Sequence, residues 1–200
     1  VSLKKNIVNS SIRSMYPLFE SIRLSDRGAE HFDRHLQRMQ TSSRALWGQA
    51  VEFHGLLNAI LSLQGETLQK CRVLYNPISY HIDCKPYKQR PIDRLYLMIA
   101  DQIEYTHKWS DRTALISPLH GLPPHTDVLF VKNGLLRDTS YANIALWNGR
   151  EWHTPAKPLL KGIRRAVLLE EGRIFEKDIA VEDIPNYTSV SLINAMLDLG

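Results

Sequence analysis

Apolar and polar residues alternate where the readable pattern begins. Leu18-Phe19-Glu20-Ser21-Ile22-Arg23-Leu24 predicts a strand, and Ser25-Asp26-Arg27-Gly28 supplies turn chemistry after it. The period then changes. Phe32, Leu36, Met39 and Leu46 recur at helical spacing, so residues 31–47 read as an amphipathic helix stopped by Gly48. Arg34, Arg38 and Thr41 share the face opposite that stripe, where solvation is the default. Val51, Leu57, Ile60 and Leu61 suggest a second helix ending near Gly65. Residues 72–75 and 80–83 have the pattern of a hairpin about Pro77-Ile78, and 94–99 that of a further strand.

The second half opens with a strand-like run over 103–109 and a short helix near 110–116. Strand patterns follow at 128–131, 135–137 and 143–147, with Asn-Gly at 133–134 and 148–149, the strongest short-range hairpin signal. Residues 162–171 predict a helix ended by Gly172, and 173–179 and 188–197 predict strands. The alternation describes an α/β (α+β) chain. A boundary near 98–104 would separate an N-terminal α/β domain, 15–100, from a strand-rich C-terminal domain, 101–200. Residues 1–14 are polar, mildly basic and without an apolar stretch; they read as a poorly ordered extension and not as a secretory signal.

Composition narrows the function classes. At 44% apolar content, 200 residues can bury a substantial core. No apolar run approaches the roughly 18 residues of a membrane span. The net charge of +4, from 25 basic and 21 acidic residues, is spread without a Lys/Arg block, which argues against nucleic-acid binding and leaves small anionic ligands open. Two cysteines are too few for a disulfide scaffold or a zinc site, and no metal is expected. Cys71 and Cys84 would face each other across the predicted hairpin; in a cytoplasmic protein a reduced pair is the expected state.

Four segments carry candidate chemistry. Lys108 sits between aromatic-rich stretches at the end of the 103–109 run, where desolvation can make its amine nucleophilic enough for a Schiff base. Asp138, in Gly134-Leu135-Leu136-Arg137-Asp138-Thr139-Ser140-Tyr141-Ala142-Asn143-Ile144, is a turn residue or a carboxylate suited to a pyridinium nitrogen. The stretch from Thr154-Pro155 to Gly162-Ile163-Arg164-Arg165 runs into a helix whose N-terminal N–H groups can receive a phosphate. In His35-Leu36-Gln37-Arg38-Met39, Arg38 could make charge-assisted bonds to the same dianion.

In this order the segments resemble the class IV, fold-type IV pyridoxal 5′-phosphate (PLP) enzymes, and among them aminodeoxychorismate lyase. Phe19-Glu20-Ser21-Ile22-Arg23 resembles F-E-T-[IL]-R, and His35 to Met39 with Ser42 resembles H-L-x-R-L-x-x-S, whose arginine holds the cofactor phosphate. Lys108-Trp109-Ser110-Asp111-Arg112 resembles the lyase form K-x-x-N-R, whose lysine bonds the cofactor. Residues 134–144 resemble G-x-[VI]-x-E-x-x-x-x-N-[IL], with Asn143 in register and Asp138 in place of glutamate. Gly162-Ile163-Arg164-Arg165 resembles G-I-[TM]-R, with Arg164 replacing a hydroxyl or thioether residue. Ser191 to Met196 stands loosely where the family has a phosphate loop, so Asn194 and Ala195 inherit that role. The closing G-I-x-P-V segment has no counterpart.

The resemblance implies a D-amino-acid aminotransferase-like fold of two small domains with PLP between them. It also implies a cytoplasmic homodimer and a small amine or amino-acid substrate. Lys108 would be catalytic, and Arg38, Asp138, Asn143, Ile163, Arg164, Asn194 and Ala195 would join it in binding the cofactor. Three activities stay open: conversion of aminodeoxychorismate to 4-aminobenzoate and pyruvate in folate biosynthesis, transamination of D- or branched-chain amino acids, and a non-catalytic PLP-fold module. Arg72, Lys85 and Arg90 are candidates for the substrate carboxylate only by charge.

Overall fold

The computed structural model describes residues 14–200; residues 1–13, and with them nearly all of the expected extension, lie outside the described residues. The chain forms two units, one made of residues up to 88 together with His107–Asp111, the other of Gln89–Thr106 and Arg112–Gly200.

The first unit is an antiparallel sheet with two helices. Strands β1 (Leu18–Ser25), β2 (Gly28–Ala29), β3 (Gln69–Tyr75) and β4 (Tyr80–Pro86) take the order β2-β1-β3-β4. Helix α1 (Phe32–Trp47) and helix α2 (Leu56–Leu61) connect β2 to β3. The core is built from one face of β1, Leu18, Ile22 and Leu24, with Met39 of α1, Ile60 of α2, and Val73 and Tyr75 of β3. Helix α1 ends at Gly48, whose φ of 74° is left-handed and therefore suits a residue without Cβ.

Two expectations need correction here. The 103–109 run is not a strand. Its end instead lies along β1: Phe19 N–H donates to the Lys108 carbonyl at 3.0 Å, Ser110 N–H donates to the Pro17 carbonyl at 2.7 Å, and Leu18 and Trp109 form an isolated antiparallel bridge. Cys71 and Cys84 do face each other, but they form a disulfide and not the reduced pair expected, because the antiparallel register sets their Cα atoms 4.0 Å apart.

The second unit holds two sheets. Strand β5 (Arg94–Ile99) runs parallel to β6 (Thr126–Lys132), which pairs antiparallel with β7 (Leu135–Thr139). Strands β8 (Asn143–Trp147), β9 (Trp152–Pro155), β10 (Phe175–Lys177) and β11 (Ser189–Ile193) take the order β10-β9-β8-β11. Both Asn-Gly signals mark antiparallel hairpins, β6–β7 and β8–β9, with Asn133 and Gly134 at φ 53° and 74° as a type I′ turn requires. The helix expected near 110–116 is one turn, α3 (Thr113–Ile116), and α4 spans Ile163–Glu170. The 173–179 and 188–197 runs shorten to β10 and β11. Asn194 ends the latter by pairing its backbone with Leu197. Among the described residues no helix is long and apolar enough to cross a membrane.

Candidate active site

Successive even positions of β1 point into the first unit's core, and Glu20 occupies one of them between Leu18 and Ile22. It is 0% exposed. A carboxylate there needs compensation, and α1 supplies it. Arg38 Nε donates to Glu20 Oε1 at 2.7 Å and an Arg38 terminal nitrogen to Oε2 at 2.6 Å, a two-point grip. His35 Nδ1 lies 2.8 Å from Oε2. Burial alone would raise the pKa of Glu20; the Arg38 charge, with the bonds from His35 and Arg38, overrides it and holds the group well below the usual carboxylate range.

The same contacts explain why α1 buries a polar stripe. Its buried residues are His35, Met39, Ser42 and Ser43. The face assigned to solvent by spacing turns Arg38 onto Glu20, leaving its side chain 16% exposed. Burial, the leading cause, depresses the His35 pKa, and with the charges of Arg38 and Lys108 it outweighs the opposing hydrogen bond and charge of Glu20. His35 is therefore neutral near pH 7. An ionised Glu20 only accepts, so the ring proton sits on Nδ1 and the buried Nε2 is a lone-pair acceptor without a hydrogen-bond partner. Lys108 belongs to this cluster: its Nζ lies 4.8 Å from the centroid of Phe19, the neighbour of Glu20.

The second unit gathers the remaining candidates around Asn143. Asn143 Nδ2 donates to Asp138 Oδ1 at 2.8 Å and to the Leu160 carbonyl at 2.9 Å, while Leu160 N–H donates to Asp138 Oδ2 at 2.9 Å. Asp138 is thus tied to the loop ahead of α4. Burial raises its pKa more than these bonds and Arg165 lower it, and it is pushed up to about 6. A Cβ on Gly162, the residue before α4, would land on Asn143 Oδ1, so glycine is required by close approach and not by its φ of −71°. No side chain caps α4, so the N–H groups at Ile163 and Arg164 point outward from the helix start without a capping bond. The Arg164 side chain pairs with Asp198, Nε to Oδ1 at 2.8 Å.

Strand β11 brings in the last segment. Ile193 pairs with Asn143, which places Asn194 beside the same strand end. Asn194 Nδ2 donates to the Tyr141 carbonyl at 3.3 Å, and its Oδ1 accepts from Met196 and Leu197 N–H. Ala195 lies inside that turn. Asp138, Asn143, Ile163, Arg164, Asn194 and Ala195 therefore converge within the second unit, as Arg38 and Lys108 do within the first. Sequence reasoning missed Glu20 and His35 as parts of the cluster; the available signal was a carboxylate in a core row of β1.

Comparison with known proteins bears on the family and the fold. The model of the family Amino-transferase class IV matches residues 124–199. An uncharacterised protein of Haemophilus influenzae is 33% identical over 186 residues, covering 91% of this chain and 98% of the relative. The crystal structure of a proposed 4-amino-4-deoxychorismate lyase from Haemophilus somnus superposes with a TM-score of 0.85 at 33% identity, covering 92% of this chain and 98% of that one. The chain belongs to the class IV aminotransferase family. A hypothetical aminotransferase from Mycobacterium tuberculosis in PLP-bound form shares the fold, with a TM-score of 0.75 at 14% identity over 94% of this chain and 80% of that one.

Class IV aminotransferases are PLP-dependent enzymes, and the donors present fit that cofactor. In the first unit Arg38 is a cationic donor of the kind a phosphate takes, and in the second the uncapped start of α4 and the Asn194–Ala195 turn are polar segments of the kind that receive an anion. Lys108 offers an amine, and Asp138 a carboxylate that also takes bonds from Asn143 and from the Leu159 and Leu160 backbone.

Proposed function

We propose that the protein is a PLP-dependent lyase that converts 4-amino-4-deoxychorismate to 4-aminobenzoate and pyruvate. The observation that carries the reading is the near full-length match, in sequence and in fold, to the Haemophilus somnus protein of that proposed activity. The Lys108–Arg112 segment, lyase-like in spacing, supports it: Lys108 is held by backbone bonds on β1, and Arg112 donates to the Ser140 carbonyl.

In this reading Lys108 Nζ would bond the cofactor and Arg38 would offer its phosphate a cationic donor from the first unit, while in the second the α4 start and Asn194–Ala195 would offer phosphate donors and Asp138, backed by Asn143, a carboxylate for the ring nitrogen. When bound, PLP supplies an electron sink for the carbon that carries the substrate amine. Lys108 would take the proton from this carbon as general base. The C–O bond to the enolpyruvyl group then breaks, the leaving group gains a proton and departs as pyruvate, and the six-membered ring becomes aromatic. A cytoplasmic location and a place in folate synthesis rest on the same resemblance. So does a homodimer, supported by the exposed Tyr96, Leu97 and Ile99 on the edge strand β5.

The test supplies 4-amino-4-deoxychorismate, D-alanine and leucine separately to the PLP-loaded protein and to Lys108→Ala. Expected are 4-aminobenzoate and pyruvate in equal amounts from the wild type, and neither from the variant. Conversion of the cofactor to its pyridoxamine form by D-alanine or leucine, faster than any 4-aminobenzoate release, would assign the protein to the transaminases instead.

A further inference from the structure

Glu20 stands in a row of β1 whose other members, Leu18, Ile22 and Leu24, are core residues, and an apolar side chain would fill its place without the cost of burying a charge. The carboxylate is nevertheless ionised, and both its oxygens are committed. It grips Arg38 at two points, 2.7 and 2.6 Å, and takes a third bond from His35 Nδ1 at 2.8 Å. Arginine carries several rotatable bonds, and fixing them at the moment of binding would subtract from affinity. A guanidinium already locked from behind avoids that loss.

We infer that Glu20 is a positioning residue for Arg38, fixing the orientation in which its guanidinium meets the phosphate of the cofactor. His35, neutral and with its proton on Nδ1, braces Glu20 so that the carboxylate keeps its two-point geometry. The inference rests on the assignment of Arg38 to the phosphate in the proposed function. It differs from a purely structural tie of β1 to α1 in one respect: a positioning role is specific to the phosphate, whereas a tie supports every ligand of the unit alike.

Two aldehydes separate these roles. PLP and pyridoxal both bond a lysine amine, but only PLP carries the phosphate. Dissociation constants for both are measured on the full-length apoprotein for wild type, Glu20→Gln and Glu20→Asp, with circular dichroism to confirm folding. Glu20→Gln removes the charge and one acceptor, and PLP affinity falls about 10-fold or more, as expected for loss of a charge-assisted bond, while pyridoxal affinity stays within about 2-fold. Glu20→Asp keeps the charge at shorter reach and shows a smaller loss, again confined to PLP. Should Glu20→Gln fail to fold, the aspartate variant alone decides. Equal weakening of both aldehydes, or no change in either, overturns the inference and leaves the proposed function standing. A wild type that binds pyridoxal as tightly as PLP would remove the phosphate assignment, and the inference with it.

Discussion

Replacing Asp138 with asparagine keeps the shape of the side chain and removes a charge that the fold buries. In the folded chain the carboxyl pKa is pushed from 3.8 up to about 6, with burial as the leading cause. A raised value means the folded state holds the proton more tightly than the unfolded chain. The stabilising share of this residue is therefore full below about pH 4 and lost as pH rises through about 6. A shift of about 2 units corresponds to about 3 kcal/mol once both states are ionised, and about 1.5 kcal/mol of that falls between pH 5 and pH 8. Asparagine cannot titrate. It keeps one acceptor for Asn143 or for Leu160 N–H and turns a donor toward the other, at a pH-independent cost of about 1–3 kcal/mol. Urea denaturation of both proteins at pH 5 and pH 8 isolates the effect, because every other group, Glu20 included, cancels in the difference. The variant's stability relative to wild type should improve by about 1.5 kcal/mol between the two pH values. A relative stability that is flat, or that worsens toward pH 8, would show that Asp138 is not a buried carboxyl of raised pKa.

Gly162→Ala places a methyl on Asn143 Oδ1. Because Asn143 is pinned by Asp138 and Leu160, the expected loss is about 1–3 kcal/mol, checked by thermal melting; an unchanged melt would mean the Asn143 clamp yields freely. Cys84→Ser opens the Cys71–Cys84 link, which spans 13 residues. It should cost about 2–5 kcal/mol under non-reducing conditions and nothing under dithiothreitol, where wild type should fall to the variant's stability. Equal stability of the two proteins without reductant would show the pair reduced.

What was legible in the chain follows from how local each signal is. The Asn-Gly hairpins were readable because two adjacent residues set the turn, and α1 and α4 because helical spacing repeats within one element. Strand β9, only Trp152–Pro155, is too short to show alternation, and its parallel partner β10 lies beyond α4. The segment holding Lys108 looked like a strand because it is apolar and aromatic, yet its bonds go to β1, at the far end of the sequence. Glu20 was visible as a motif letter but not as a buried anion. Its counter-charge is 18 residues away on a helix whose apolar stripe pointed elsewhere, and only the folded pair shows that Arg38 is not solvated.

The aspartate at position 138 gains a physical account from its neighbours. Relative to the glutamate of the resembling motif it is one methylene shorter, and the structure uses that shorter reach to bind backbone. Its two oxygens meet Asn143 and Leu160 N–H, and Asn143 returns to the Leu160 carbonyl, so three bonds close around one residue of the loop. Two residues later Gly162 begins the turn into α4, seated against the same Asn143. The carboxylate proposed for the ring nitrogen therefore also fixes where α4, the helix proposed to receive the phosphate, starts. A ligand that draws on Asp138 and one that draws on the α4 N–H groups act on a single clamp. Substitutions at 138 should accordingly change affinity for the phosphate half of the cofactor as well as for its ring, a coupling that a longer side chain free of the loop would not impose.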